Sequence, residues 1–184
     1  MHLNQASGWI EGIEHQPSPN FDQRPASCAI NLLVIHGISL PPGEYGGPWI
    51  TSLFCNTLDC NAHPYFDGLR NLKVSAHLLI RRDGYVIQYV SLNDRAWHAG
   101  ASSFEGRERC NDFSIGVELE GEDATPYTER QYQVLIQVTR IISRAYPLIT
   151  PTRIKGHSDI APGRKTDPGE AFDWERYLSS LEKD

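Results

Sequence analysis

Chemistry concentrates in one loop near the end of the chain. Gly156-His157-Ser158-Asp159-Ile160-Ala161-Pro162-Gly163-Arg164-Lys165-Thr166-Asp167-Pro168-Gly169 carries an imidazole, a long-armed ammonium and a carboxylate. Proline restricts φ and glycine permits sharp reversals, so such a backbone can aim His157, Lys165 and Asp167 at one point. An imidazole and a carboxylate converging there suit a borderline cation such as zinc. A third ligand has to come from elsewhere, and His36 is the candidate. It ends the apolar run Ile30-Asn31-Leu32-Leu33-Val34-Ile35, where α/β sheets collect their ligands. Alone, His36 would read as a core histidine bonded to a carbonyl. Together with His157 and Asp167 it leaves one position of a tetrahedral zinc open, as catalytic sites do.

Two neutral imidazoles and one carboxylate would leave the bound cation partly unneutralised. That charge lowers the pKa of a water toward neutrality and polarises a carbonyl oxygen. The chemistry then needs a proton acceptor that can later give the proton to a leaving amine. Glu118 and Glu120 share the polar face of one strand, close to the small Gly116. Spacing does not choose between them, and solvated strand glutamates are the ordinary case. Lys165 could stabilise an oxyanion, although a lysine elsewhere would simply be solvated. Trp97 in Trp97-His98-Ala99-Gly100 could stack on a sugar ring. Arg107 and Arg109 could fork onto carboxylates. A buried tryptophan and a solvated charge run are the plainer alternatives. His77 reads as a structural histidine, or one that orients ligands, rather than a ligand itself.

The elements that must position these residues follow from periodicity. The first twenty-odd residues, rich in Pro, Asn and Gln, read as a surface arm. Ile30 to His36 reads as a buried strand stopped by Gly37. Ser39 to Pro48 reads as a loop, Trp49 to Leu58 as a short helix, and Asn61 to Leu69 as loop again. Leu72 to Ile80 alternates, Asp83-Gly84 supplies turn chemistry, and Tyr85 to Val90 returns, which predicts a hairpin. Phe113 to Glu120 is the clearest strand, with Phe113, Ile115, Val117 and Leu119 on its core face. Thr128 to Tyr146 is the clearest helix, with Thr128 and Gln131 at capping-box spacing and Pro147 as its stop. Arg153 to His157 reads as a short strand, and Asp173 as the cap of a last helix. The pattern predicts a single α/β (α+β) domain, a mixed central β-sheet with packed helices, its core spanning about residues 17–182.

Bulk properties exclude several classes. A chain of 184 residues with 40% hydrophobic and 22% charged residues has the make-up of a one-domain globular protein. A net charge of −6 without a basic stretch argues against nucleic-acid binding. No apolar run is long enough for a membrane span, so neither nucleic acid nor membrane is expected as a partner. The start of the chain lacks a basic n-region and an apolar h-region, which predicts a cytoplasmic location. Cys28, Cys55, Cys60 and Cys110 form no Cys-x-x-Cys pair and are expected as free thiols.

Longer stretches carry a family resemblance. They are Val34-Ile35-His36, Ser39-Leu40-Pro41-Pro42-Gly43-Glu44, Asn61-Ala62-His63-Pro64-Tyr65-Phe66 and Val74-Ser75-Ala76-His77. They continue with Arg95-Ala96-Trp97-His98-Ala99-Gly100, Gly106 to Gly116, Glu118-Leu119-Glu120-Gly121 and the loop that opens this section. From about Pro17 to about Trp174 the chain resembles the zinc-dependent N-acetylmuramoyl-L-alanine amidases related to peptidoglycan-recognition proteins and a phage lysozyme. Within them it resembles the AmpD-type group, which acts on 1,6-anhydro-muropeptides. The resemblance implies an amidase fold and one zinc per chain on His36, His157 and Asp167. It selects Glu118 as the catalytic carboxylate, with Lys165 beside it, and places Tyr65 near the metal. One departure is Gly37, where the group commonly carries Asn. The implied reaction splits the amide between 1,6-anhydro-N-acetylmuramic acid and L-alanine of a small muropeptide. It belongs to cytosolic cell-wall recycling and indirectly limits β-lactamase induction. A monomer is expected. The rivals are a non-catalytic muropeptide sensor on the same fold and an amidase acting on intact peptidoglycan; sensors typically lack part of the metal set.

Overall fold

A six-stranded mixed sheet organises the computed structural model, which describes residues 1–182. Its strands are β1 (Glu14–His15), β2 (Leu32–Ile38), β3 (Leu78–Ile80), β4 (Val86–Gln88), β5 (Ser114–Glu120) and β6 (Ile154–Gly156). Their spatial order is β6-β2-β5-β3-β4-β1. The β6–β2, β2–β5, β5–β3 and β4–β1 pairs are parallel, and β3–β4 is the predicted antiparallel hairpin. Gly84 stands at a φ of 83° in its turn, a conformation glycine adopts without steric cost.

Both faces of the central strands are buried, as expected where crossovers cover a parallel sheet. On one face Leu33, Ile35, Ile115, Val117 and Leu119 meet Leu135, Val138 and Ile142 of the long helix α2 (Glu129–Ala145). That helix starts with the predicted capping box: Thr128 Oγ1 accepts from Gln131 N–H and Gln131 Oε1 accepts from Thr128 N–H. On the other face Leu32 and Val34 pack with Ala99, Cys110, Phe113 and Ile160. A separate cluster around Phe54, Phe66, Leu79 and Tyr89 seats α1 (Trp49–Phe54). Two further helices follow β6: α3 (His157–Ile160) and α4 (Trp174–Leu181), the latter capped by Asp173 as predicted.

Several expectations change. Phe113 does not share the face of Ile115, Val117 and Leu119: it precedes β5 and packs with Leu32 and Val34 on the other face. Gly37 does not stop β2, which runs on to Ile38 in pairing with β5. The N-terminal segment is no surface arm: Leu3 and Ile10 are buried in the main core, and Glu14–His15 adds the sheet's edge strand. The hydrophobic period there is too short to register as a strand pattern. The strand predicted over Leu72 to Ile80 forms only at Leu78–Ile80. Its first half is drawn off the ladder: Asn20 Nδ2 donates to the Val74 carbonyl and Ser75 N–H bonds the Trp97 carbonyl. Within Asn61 to Leu69, Pro64–Leu69 winds into a 3-10 helix capped by the His63 ring. The four cysteines are free, as expected.

Candidate metal centre and catalytic cleft

Parallel pairing brings the candidate residues to one end of the sheet. His36 of β2 lies in register with Glu118 of β5, so both side chains leave the same face at the same height. The next strand, β6, ends at Gly156 and hands His157 directly into α3. The loop after α3 then folds back, with Ser158 N–H donating to the Asp167 carbonyl. This is the carboxyl end of the parallel strands, the usual ligand edge of such sheets.

Three side chains converge there. His36 Nδ1 is 2.9 Å from His157 Nδ1 and 3.2 Å from Asp167 Oδ2, and His157 Nδ1 is 3.1 Å from the same oxygen. One ligand atom from each of the three lies within 4.8 Å of the others, an arrangement that could hold a metal ion. The partners of His157 identify its free nitrogen. Its Nε2 sits 3.1 Å from the Ala99 carbonyl, which only accepts. Arg164 Nη2 is also near, at 3.3 Å, but donates to the Ala99 and Ala101 carbonyls at 2.6 and 2.8 Å, which uses both its hydrogens. Nε2 of His157 therefore carries the proton, and Nδ1 turns a lone pair toward His36 and Asp167. A ring lone pair, a second ring nitrogen and a carboxylate oxygen packed this closely suit a cation between them, so the donor set fits a borderline metal such as zinc.

The electrostatics agree. Burial lowers the His36 pKa to about 4, which keeps the imidazole neutral and able to ligate. Burial also acts on Glu118: together with the nearby Asp167 charge it pushes the carboxyl well above its ordinary value, with the Lys165 charge opposing. Its Oε2 is buried without a hydrogen-bond partner. A buried unpaired carboxylate oxygen is costly, and here it borders a cavity of about 260 Å³.

That cavity gathers most of the predicted site. Tyr65, Trp97, Glu118, His157, Lys165 and Asp167 line it, with Leu40, Leu53, Leu69 and Leu72 as an apolar wall. Trp97 is held by its indole N–H on Asp22. Arg109 is elsewhere: it lines a separate depression of about 570 Å³ with Ser102, Glu108 and Arg164. The same loop serves both spaces: Ala161, Pro162 and Arg164 border the depression and Lys165 borders the cavity. Glu120 is not a second candidate base. Its oxygens accept from Gly46 N–H (2.6 Å) and Arg82 N–H (3.0 Å), pinning the Ser39–Pro48 loop to the strand end. His77 is no ligand either, since its Nδ1 accepts from Gly116 N–H. Sequence reasoning left His98 and Tyr127 unassigned. His98 Nδ1 lies 2.8 Å from His36 Nε2. Tyr127 donates its hydroxyl to the Pro168 carbonyl, beside the candidate ligand Asp167, and reaches it through the space over Gly37.

Comparison with known proteins matches this geometry. Residues 26–170 match the family model described as N-acetylmuramoyl-L-alanine amidase. The chain is 58% identical to the 1,6-anhydro-N-acetylmuramyl-L-alanine amidase AmpD of Enterobacter cloacae, over 95% of this chain and 93% of that one. A crystal structure of a selenomethionine AmpD derivative superposes with a TM-score of 0.95 at 56% identity, covering 98% of this chain and 99% of that one. The amidase AmiD of Escherichia coli, solved with the substrate anhydro-N-acetylmuramic acid-L-Ala-D-gamma-Glu-L-Lys, gives a TM-score of 0.60 at 28% identity, covering 86% and 60% of the two chains. With the family model spanning five of the six sheet strands, the converging histidines and the Asp167 loop, the chain belongs to the N-acetylmuramoyl-L-alanine amidase family.

Proposed function

We propose that this protein hydrolyses the amide joining 1,6-anhydro-N-acetylmuramic acid to L-alanine of a soluble muropeptide, using one zinc ion held by His36, His157 and Asp167. The observation that carries the chemistry is the convergence of those three ligand atoms next to the unpaired Glu118 carboxylate. The substrate reading rests on likeness to the AmpD amidase over nearly the whole of both chains.

Zinc bound there would lower the pKa of a water and polarise the scissile carbonyl. The rest falls to the chain's own residues. Glu118, with its raised proton affinity and free oxygen, takes the proton of the attacking water and returns it to the departing amine. Lys165 brings a positive charge to the cavity wall, where negative charge develops on the carbonyl oxygen. The apolar wall and the Trp97 and Tyr65 rings suit a sugar face and exclude water. Arg109 and Arg164 offer cations to the stem-peptide carboxylates from the neighbouring depression. All these residues come from one chain, and in this reading a monomer suffices for the reaction. No described helix is long and apolar enough to cross a membrane. A soluble recycled fragment as substrate makes the cytosol the place of action in this reading.

The experiment is a comparison of three substrates: anhydro-muramyl tripeptide, the same muropeptide with a reducing muramic end, and intact sacculi. Release of free peptide should be fastest from the first and slowest from sacculi. Equal or faster cleavage of the reducing form would remove the anhydro-sugar reading. Binding without cleavage of any of the three would favour the non-catalytic sensor.

A further inference from the structure

We infer that His98 is a positioning residue that locks His36 in the tautomer able to bind metal, as the middle member of a one-way hydrogen-bond chain starting at the Cys110 carbonyl. The inference rests on the metal site proposed above. Its direction follows from donor and acceptor types alone. The Cys110 carbonyl can only accept, so the Ser114 hydroxyl, 2.6 Å away, donates to it. Ser114 Oγ has then spent its hydrogen and accepts from His98 Nε2, at 3.1 Å. With its one proton on Nε2, the buried His98 presents a bare Nδ1. That nitrogen accepts at 2.8 Å from His36 Nε2, which must therefore carry the proton. His36 Nδ1 is left with its lone pair facing His157 and Asp167. Each link is decided by the one before it, and the starting carbonyl admits no reversal.

A second observation supports this independently. A Cβ on Gly116 would lie 2.5 Å from Cγ and Nδ1 of His98. The imidazole therefore lies against bare backbone of β5, and any side chain at 116 would push it off its bridge. Beneath it His77 stands edge-on, at 5.7 Å between ring centroids, held by Gly116 N–H on its Nδ1. Outer partners of this kind orient metal-binding imidazoles and raise their basicity, typically at 10–100-fold in metal affinity.

The test compares His98→Phe, His98→Gln, Gly116→Ala and Ser114→Ala by two readouts. The first is the long-range ¹⁵N–¹H correlation of the His36 ring in metal-free protein. The wild type should show one tautomer, protonated on Nε2, and His98→Phe a mixture. The second is zinc affinity by chelator competition. His98→Phe should bind zinc about 10–100-fold more weakly, and Gly116→Ala should weaken it in the same direction with His98 chemically intact. His98→Gln, whose amide oxygen can accept from His36, should recover most of the loss. Ser114→Ala, a small change expected to fold even if His98→Phe does not, should release the ring and weaken zinc several-fold. A single Nε2-protonated tautomer with unchanged affinity in His98→Phe or Ser114→Ala would overturn the inference. So would equal losses in His98→Gln and His98→Phe, which would mean that only packing is at stake. Failure of the wild type to bind zinc would instead strike the metal reading itself, and the tautomer measurement would still decide this one.

Discussion

Glu118 and Glu120 pose the sharpest question at the scale of single residues, because alternation along a strand puts both on one face. Their partners separate them. Glu120 spends both oxygens on backbone N–H groups, while Glu118 keeps a buried oxygen unpaired at the cavity. Glu118→Gln should keep zinc content and substrate binding yet lose turnover by roughly 10²–10⁴-fold, the usual worth of general acid–base catalysis. Glu120→Gln should leave the chemical step nearly intact and loosen the Ser39–Pro48 loop. Steady-state kinetics on both variants checks this, and the reverse order would mean the base is misassigned. The distinction could not be read from spacing, since the donors that occupy Glu120 come from positions 46 and 82. His157 and Asp167 were legible because their own loop, dense in Pro and Gly, announces a constrained geometry. His98 was not, because every atom that gives it a role lies on another element.

At the scale of elements, long periodic segments were legible and short ones were not. The helix Glu129–Ala145 with its capping box and the strand Ser114–Glu120 appear where period and caps place them. The edge strand Glu14–His15 is only two residues long, below any period. The hairpin's first strand was overestimated because alternation also describes extended chain whose backbone bonds to loops. Gly37 gives a prediction at this scale. A Cβ there would lie 2.4 Å from the Tyr127 hydroxyl, which holds the Pro168 carbonyl next to Asp167. Gly37→Ala should displace that buried ring and destabilise the fold by about 1–3 kcal/mol, the usual cost of overpacking. Urea unfolding would reveal it as a lower midpoint with an unchanged slope. An unaltered midpoint would mean that the Tyr127 bond contributes little.

The molecule buries four of its seven imidazoles, His36, His77, His98 and His157, around one end of the sheet, and that has a pH consequence. Burial lowers the His36 pKa to about 4 and the His77 pKa to about 3, and it pushes His98 well below its ordinary value. In the unfolded chain the same rings protonate near pH ~6.5. Between those values the unfolded state binds more protons, so folding stability rises with pH and is lost as pH falls from about 6.5 toward 4 and 3. Chelator-treated protein should therefore unfold at less urea at pH 5 than at pH 8, and equal midpoints would contradict neutral burial. The family, the mixed sheet and the converging triad were all within reach of the sequence, because the candidate ligands sit at strand ends and in a Pro- and Gly-rich loop that composition marks. The division of the surface into a cavity holding Tyr65 and Trp97 and a separate depression holding Arg109 was not, since loop packing alone decides it. The most direct test of the central claim is a zinc titration. Metal-free protein is supplied with stepwise zinc while peptide release from anhydro-muramyl tripeptide is followed. Activity should rise from near zero in proportion to added zinc and level off at one ion per chain. Full activity in rigorously metal-free protein, or none at saturating zinc, would contradict the account.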